Sequence, residues 1–247
     1  MPVDIVGVVQ ARMGSTRLPG KVLRDLRGRS VLGWVVRAAE QSGALDDLIV
    51  ATTTETEDDA VASACARLGV RCHRGPVDDV LTRFVEALGG ATGAVMRLTA
   101  DCPLLDPAVL RQAAAVFAAV NAEGNVDYVS LGLPHTLPRG AGDAEVVSVD
   151  ALRRIDALAT GYHRAHVTSY AYCHPEDFRV LGLTYAPDAS DLRVTLDTPD
   201  DWAVIERVAG EFGDRAVPVG TLVSWLRAHP EVSALNAHVR QKELQQA

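Results

Sequence analysis

Aromatic residues and long apolar runs are both scarce in this sequence. Aromatics make up 5% of the 247 residues, so the core must be built mainly from Ala, Val and Leu. No apolar run approaches the ~20 residues that a membrane-spanning helix needs. The N-terminus has no basic segment followed by an apolar stretch, so no secretory signal is expected. We therefore predict a globular, cytoplasmic protein without a membrane partner.

Cysteines are also few, and no two of them form a C-x-x-C pair. Their number is too low for a secreted disulfide scaffold, and their spacing does not fit a zinc ribbon. Because a free cysteine packs like a small hydrophobic residue, we expect reduced and mostly buried thiols. The residues concerned are Cys65, Cys72, Cys102 and Cys173.

Positive charge is in deficit overall but concentrated near the N-terminus. The net charge of −8 argues against a general partner such as nucleic acid or a membrane surface. Residues 1–30 nevertheless carry +4, which leaves −12 for the rest. The basic residues are Arg12, Arg17, Lys21, Arg24, Arg27 and Arg29, against Asp4 and Asp25. This asymmetry predicts a small anionic ligand at the N-terminal segment.

Strands and helices alternate through the first half of the chain. Apolar, β-branched runs predict strands at 3–9, 48–53, 70–73 and 94–99. Capping residues and helical spacing predict helices at 31–41, 56–68, 77–88 and 107–122. Such alternation is typical of a largely parallel sheet with helices on both faces. Ligands bind beyond the carboxyl ends of such strands, where segments 10–29 and 99–106 are expected to lie.

The second half is less regular. We predict strands at 126–130, 145–149, 178–185 and 192–196, and helices at 149–159 and 199–209. Segment 131–142, with two Pro and three Gly, is expected to be a mobile or ligand-facing loop. Neither a linker nor an internal repeat divides the chain. The prediction is one domain over 1–247, with a less regular subregion at about 131–190.

The strongest chemical signal is the segment from Gln10 to Lys21, which reads QARMGSTRLPGK. Glycines let backbone N–H groups approach phosphate oxygens, while Arg and Lys neutralise the phosphate charge. The segment is neither a Walker A loop, since Val22 stands where Ser or Thr is required, nor a G-x-G-x-x-G turn. A solvated basic loop is the alternative on these residues alone.

This segment resembles the signature of the cytidylyltransferases that activate acidic sugars, a superfamily that includes the CMP-sialic acid and CMP-KDO synthetases. The spore-coat polysaccharide biosynthesis branch of the SpsF type is the most similar. Further matching blocks follow in order, and they read IVATTT from 49, RG from 74, DDVL from 78, RLTADCPL from 97, DAEV from 143, HVT from 166 and LRVTLDTPDD from 192. The resemblance implies a three-layer α/β/α nucleotidyltransferase (Rossmann-like) fold with a mainly parallel mixed sheet.

The resemblance also implies an activity, in which CMP passes from CTP to a small acidic acceptor and pyrophosphate is released. Catalytic roles are implied for Arg12, Lys21 and Asp101. Contacts to the nucleotide are implied for Gln10, Ala11, Arg12, Gly14, Ser15, Arg17, Lys21, Arg97 and Thr99. Contacts to the acceptor are implied for Asp143, Glu145, Arg164 and His166. Magnesium is implied as the cofactor, held by Asp101 and Asp197, and a homodimer is expected.

Both proposed metal ligands have a simpler interpretation. Asp101 follows the strand at 94–99, where a carboxylate can meet a metal-bound nucleotide or hold the turn before Pro103. Asp197 precedes a helix start and could only favour the helix dipole. Two Asp residues 96 positions apart can meet only if their strands are neighbours at one edge of the sheet. That condition is a geometric prediction.

Three positions depart from the family pattern, namely Ala100, His163 and Ala165. Family members commonly have Gly at the first and carboxylates at the other two. Loss of two negative charges beside Arg164 and His166 favours a more highly charged acceptor, such as a phosphate or phosphonate. Sugar acids, sugar phosphates and phosphonates all stay open.

Two other functions remain open from the residues. A nucleotide-sugar-dependent glycosyltransferase shares a related architecture, but it normally needs a D-x-D motif, and residues 101–103 read DCP. A non-catalytic nucleotide-binding module is the second, and the presence of Lys21 with both Asp residues counts against it. No Ser/His/Asp or Cys/His arrangement predicts a covalent nucleophile.

Overall fold

A computed structural model describes residues 3–122 and 124–241. The strands are β1 (Ile5–Gln10), β2 (Asp25–Leu26), β3 (Arg29–Ser30), β4 (Asp47–Thr53), β5 (Arg71–Gly75), β6 (Ala94–Thr99), β7 (Tyr128–Ser130), β8 (Glu145–Ser148) and β9 (Val180–Gly182). The helices are α1 (Val31–Ser42), α2 (Asp59–Leu68), α3 (Val80–Leu88), α4 (Pro107–Asn121), α5 (Val149–Leu158), α6 (Tyr162–Ala165), α7 (Ser169–Cys173), α8 (Pro199–Phe212), α9 (Val219–Ala228) and α10 (Pro230–Ser233).

Seven strands form the central sheet in the order β5-β4-β1-β6-β8-β7-β9. The neighbours from β5 to β6 are parallel, whereas β8 runs antiparallel to both β6 and β7. Apolar side chains from α1, α2, α4, α8 and α9 pack on one face, and those from α3, α5 and α7 pack on the other. The predicted fold class, three α/β/α layers around a mainly parallel mixed sheet, is confirmed.

Capping explains why several helices begin where the sequence predicts. The Ser30 hydroxyl accepts from the N–H of Gly33, and Asp106 accepts from Ala108. Thr198 forms a capping box with Asp201. These side chains satisfy N–H groups that the first helical turn leaves unpaired.

Two predicted helix starts are wrong. Thr56 does not cap α2, because residues 56–58 form a 3₁₀ turn and the α-helix begins at Asp59. Helix α3 begins at Val80 rather than at 77, because the carboxylate of Asp79 accepts from the N–H of Thr82 and so fixes the cap there. The carboxylate of Asp58, which precedes α2, does not cap that helix and accepts from Met13 and Thr53 instead.

The predicted strand at 192–196 does not join the sheet. It is an extended segment that pairs with the loop at 131–142, where Arg193 forms an isolated bridge with Arg139. The N–H of Arg139 donates to the carbonyl of Leu192 at 2.9 Å, and the N–H of Val194 donates to the carbonyl of Arg139 at 2.7 Å. An apolar, β-branched run therefore became extended without a place in the central sheet.

All four cysteines are free thiols, as predicted, but only two are buried. Cys65 and Cys102 lie in the core. Cys72 lies on the edge strand β5, and Cys173 lies at the end of α7, so both are exposed. Within the described residues no helix is long and apolar enough to cross a membrane.

Candidate active site

The ammonium of Lys21 lies between two carboxylates at the carboxyl end of the sheet. Its Nζ is 2.8 Å from Oδ2 of Asp101 and 2.9 Å from Oδ1 of Asp197. It also donates to the carbonyl of Leu196 at 2.7 Å. The residue is 9% exposed. The structure thus brings together the three side chains that the sequence singled out, although they come from distant parts of the chain.

Asp101 and Asp197 are positioned by different means. Asp101 follows β6 in a turn, in which the N–H of Ala100 donates to the carbonyl of Gln10 at 2.9 Å. Asp197 follows the extended segment at 192–196, and the N–H of Leu196 donates to the carbonyl of Asp101 at 2.8 Å. The predicted condition, two neighbouring strands at one sheet edge, is therefore wrong, because the second aspartate comes from outside the sheet.

Charged neighbours keep Lys21 and Asp197 ionised. Burial lowers the pKa of Lys21, but Asp101 and Asp197 outweigh it and raise that pKa above its ordinary value. Burial raises the pKa of Asp197, and Lys21 and Arg17 outweigh it, so the carboxyl pKa falls below its usual range. Lys21 is accordingly a cation and Asp197 an anion at neutral pH.

Two arginines add to the charge around Asp197. Arg17 approaches its Oδ1 at 3.2 Å, and Arg193 donates to its Oδ2 at 2.7 Å. Arg193 also binds the fully buried Asp201 at 2.8 Å, which in turn accepts from Asn236 at 2.8 Å. Asp197 is therefore held in place by the first turns of α8 as well as by the loop that carries Lys21.

The loop between β1 and β2 is held by contacts with β4 and with the 3₁₀ turn at 56–58. The N–H of Met13 donates to Oδ1 of Asp58 at 2.6 Å, and Gly20, with a φ of 68°, donates to the carbonyl of Met13. Backbone N–H groups of residues 14–17 donate to no acceptor among the described residues. Gly14, Ser15 and Arg17 thus lie on a stretch whose N–H groups are open to an anion.

The other residues of this loop that were predicted to bind the nucleotide differ in which polar groups remain without a partner. Arg12 is exposed, and its side chain has no ion pair within 3–122 and 124–241. Ala11 is buried, and its N–H already donates to the carbonyl of Ala51 at 3.1 Å. The N–H of Ala11 is thus engaged within the sheet edge, and the predicted contact of Ala11 with the nucleotide stays a prediction. The Oε1 atom of Gln10 is buried without a partner among the described residues.

Arg97 and Glu145 contact each other, although the sequence assigned them to different ligands. They lie opposite each other on β6 and β8, and Nη1 of Arg97 donates to Oε2 of Glu145 at 2.6 Å. Tyr128 and Thr168 donate to the same carboxylate at 2.7 and 2.9 Å. The carboxylate of Glu145 thus accepts three hydrogen bonds. The Arg97–Glu145 pair therefore links the sheet to the start of α7. Thr99, the last residue of β6, contacts Sγ of Cys102 at 3.3 Å.

Arg164 is engaged in internal contacts, which count against its predicted contact with the acceptor. Its guanidinium donates five hydrogen bonds, to the side chains of Asp79, Asp156 and Thr82 and to the carbonyls of Asp156 and Ala159. It therefore ties α6 to α3 and α5. His166, at the end of α6, donates its N–H to the carbonyl of Tyr162.

His163 likewise points inward. It is buried, and its Nδ1 lies 2.8 Å from Oγ of Ser169. The sequence argument for a more highly charged acceptor placed Arg164 and His166 beside that acceptor, with His163 and Ala165 in place of two carboxylates. The internal contacts of Arg164 and His163 weaken that argument.

Arg164→Met is expected to lower the free energy of unfolding by about 1–3 kcal/mol, because hydrogen-bonded carboxylates lose their partner. Affinity for CTP should stay within about twofold. Urea denaturation measures the free energy of unfolding, and titration calorimetry measures the affinity for CTP. Arg67→Met is the matched control, since Arg67 is exposed and the described residues give it no ion pair. A variant with parental stability and weaker nucleotide binding would contradict this assignment.

Asp143 is partly buried and lies close to Asp101, since Sγ of Cys102 approaches a carboxylate oxygen of each. Burial raises the pKa of Asp143 to about 6, assisted by Asp101, while the N–H of Gly140 and the charge of Arg139 oppose the shift. The N–H of Gly140 donates to its Oδ2 at 3.0 Å, and Sγ of Cys102 lies 3.9 Å from the same oxygen. Asp143 thus connects the loop at 131–142 with the turn that carries Asp101.

Two arginines were missed by the sequence reasoning. Arg139 lies close enough to Asp143 to lower its pKa, and its guanidinium has no hydrogen bond among the described residues. Arg83 is fully buried in α3, and its Nε and Nη1 atoms have no partner there. The signal for Arg83 was available, since it is a charged residue at a spacing that places it on the apolar face of its helix.

The sequence and the fold of this chain are similar to those of known cytidylyltransferases. The family model described as Cytidylyltransferase matches residues 6–226. The spore coat polysaccharide biosynthesis protein SpsF of Bacillus subtilis is 35% identical over 242 residues, 93% of this chain and 97% of that protein. A 3-deoxy-manno-octulosonate cytidylyltransferase of Aeromonas salmonicida is 38% identical over 125 residues, 48% of each chain.

Among solved structures, a cytidylyltransferase from Leptospira borgpetersenii superposes with a TM-score of 0.86 at 25% identity, and the match covers 98% of this chain and 99% of that one. The resemblance drawn from the motifs is thereby confirmed, and so is the prediction of an enzyme. On the match over residues 6–226 and the full-length similarity to SpsF, the chain belongs to the cytidylyltransferase family of nucleotidyltransferases.

Proposed function

We propose that the protein transfers CMP from CTP to a small acidic acceptor and releases pyrophosphate. The observation that carries this proposal is the cluster of Lys21, Asp101 and Asp197 beside a basic loop with open N–H groups. In such a transfer an acceptor oxygen attacks the α-phosphorus, and the bond to the departing pyrophosphate breaks. Positioning and charge stabilisation then account for most of the catalysis.

The loop from Gln10 to Lys21 is proposed to hold the triphosphate. Arg12 and Arg17 carry positive charge on this loop, and the N–H groups of residues 14–17 are free to donate to phosphate oxygens. These donors would stabilise the charge that develops on the leaving pyrophosphate. Arg12, Lys21 and Asp101 remain the proposed catalytic residues, with Gly14, Ser15 and Thr99 as proposed nucleotide contacts.

The donor set fits a divalent cation such as Mg²⁺. Asp101 and Asp197 direct one oxygen each to a single point, which the ammonium of Lys21 fills, and Mg²⁺ prefers carboxylate oxygens as ligands. When bound, the ion would neutralise phosphate charge and polarise the α-phosphate. The side chain of Asp101 is 26% exposed, and its one ion pair among the described residues is with Lys21, so Asp101 is the more accessible of the two ligands.

The acceptor side is proposed to lie along the loop at 131–142. Asp143 and Arg139 lie on this loop or beside it, and both are near the turn of Asp101. Glu145 and Arg97 would support this side through their mutual contact rather than touch separate ligands. His166 remains a proposed contact of the acceptor. A carboxylate-bearing sugar is the favoured acceptor class, since the relative from Aeromonas salmonicida is named for 3-deoxy-manno-octulosonate.

Pyrophosphate release tests the function directly. Each of CTP, UTP, ATP and GTP is incubated with Mg²⁺ and one of several acidic sugars, including 3-deoxy-manno-octulosonate, and pyrophosphate is measured. We expect release with CTP and an acidic sugar only. Sugar transfer from a nucleotide sugar would favour the glycosyltransferase alternative. Binding of CTP without turnover on any acceptor would favour the non-catalytic module.

The expected homodimer is a separate proposal that rests on the family resemblance. Light scattering coupled to size-exclusion chromatography measures the mass in solution. A mass near twice the 26.3 kDa of the chain is the expected result. A mass near 26.3 kDa at micromolar concentration would contradict it.

A further inference from the structure

Lys21 occupies the point on which the two proposed metal ligands converge. Its Nζ is within 2.9 Å of both carboxylates and also donates to the carbonyl of Leu196, so three acceptors surround one ammonium. The side chain is 9% exposed. A divalent cation cannot take the same point while the ammonium is there. Metal loading therefore requires Lys21 to move.

The charges around this point already balance. Three carboxylates, those of Asp101, Asp197 and Asp201, are matched by three cations, Lys21, Arg17 and Arg193. Adding a divalent ion alone would place two further positive charges within a few ångströms of the resident cations. Such repulsion is strong where burial limits screening. A free divalent ion is thus opposed by charge as well as by occupancy.

A bound triphosphate would remove both obstacles to metal binding, the occupancy of the site by the ammonium and the repulsion between cations. It carries negative charge to the loop on which Arg17 and Lys21 lie, and phosphate oxygens are strong acceptors for an ammonium. Lys21 begins a 3₁₀ turn directly after Gly20, so it belongs to the same loop as the open N–H groups of residues 14–17. Once the ammonium turns to the phosphates, Asp101 and Asp197 are left to the metal.

We infer that Lys21 keeps the metal site closed to a free divalent cation and that the nucleotide triphosphate opens it. Lys21 then has two positions, one between the carboxylates and one on the phosphates. Binding of metal and of triphosphate is positively coupled, and by linkage each raises the affinity for the other. This inference rests on the metal site of the proposed function.

Binding of Mn²⁺ in the absence of nucleotide tests the inference. The full-length protein is titrated with MnCl₂, and the free ion is measured by electron paramagnetic resonance. Lys21→Met should bind one Mn²⁺ at least about tenfold more tightly than the parent. Lys21→Arg, which keeps the charge, should bind as weakly as the parent. The double variant Lys21→Met with Asp101→Asn should lose the gain.

Equal Mn²⁺ affinity of the parent and Lys21→Met would overturn the inference, and so would a gain that persists when Asp101 is changed. Lys21→Gln is measured in parallel, so that a folding defect of the Met variant, visible as a lost thermal transition, does not decide the outcome. The titration contains no CTP. Failure of the proposed transferase function would appear in the pyrophosphate assay and leave this result standing, and the reverse also holds.

Discussion

Lys21→Ala is expected to slow CTP turnover by about 10²–10³-fold, a loss typical for removal of one electrostatic stabiliser of a transition state. The structure makes this substitution informative, because the ammonium contacts Asp101, Asp197 and a backbone carbonyl. Its loss removes the charge proposed to move to the phosphates. Steady-state pyrophosphate release at saturating CTP and acceptor measures the effect.

Arg24→Ala is the control for that variant. Arg24 lies on the same loop and carries the same charge, but its guanidinium stacks 4.1 Å from the ring centroid of Trp202 rather than on the carboxylates. We expect its turnover within about threefold of the parent. Circular dichroism should show that both variants keep the fold, since water can reach the 26% exposed Asp101 side chain when the ammonium is gone. Parental turnover by Lys21→Ala would show that the phosphate-loop assignment is wrong.

Asp101→Asn and Asp197→Asn should each slow the reaction by at least about tenfold and raise the Mg²⁺ concentration needed for half-maximal rate. An amide keeps the shape of the carboxylate but loses its charge, and Mg²⁺ prefers charged oxygen ligands. The double variant should be scarcely slower than the slower single variant, because both residues act through one ion. Kinetics at several Mg²⁺ concentrations are measured for the parent, the two single variants and the double variant. These four proteins form a double-mutant cycle.

The two substitutions should differ in stability. Asp197 contacts Arg17 and Arg193 as well as Lys21, so its Asn variant should also unfold at a lower urea concentration, whereas Asp101→Asn should not. Asp200→Asn is the matched control, because Asp200 is exposed at the start of α8 and pairs only with His238 among the described residues. Additive rate losses of the two variants would indicate separate structural roles instead of a shared ion.

The order of strands and helices could be predicted well because its signals are local. Periodicity and caps identify β1, β4, β5, β6 and the helices that follow them, since each signal lies within a few residues of the element it describes. The segment at 192–196 shows the limit. An extended apolar run has the same pattern whether it joins a sheet or pairs with a loop, and the difference lies in its partner at Arg139.

The site residues show the same contrast between signals that are local in the sequence and contacts that depend on the tertiary fold. Glycines and basic residues between Gln10 and Lys21 are a local pattern, and the structure places them at the carboxyl end of the sheet. Arg164 has one of its acceptors at Asp79, 85 positions away, and no local pattern reports that contact. Arg97 and Glu145 face each other only because β6 and β8 pair. Which polar side chains are free for a ligand is thus decided by tertiary contacts.

The wide separation of the site residues along the chain has a consequence for biosynthesis. Lys21 and Asp197 are 176 positions apart, and Asn236, which supports the Asp201 carboxylate, comes later still. At about 5–20 residues per second, a ribosome takes roughly 10–35 s between the first two. During that time the nascent chain can form β1, β4, β5 and β6, yet it lacks one of the two carboxylates that surround the ammonium. A prematurely terminated product that ends before Asp197 therefore lacks one of the two carboxylates on which the proposed metal site depends.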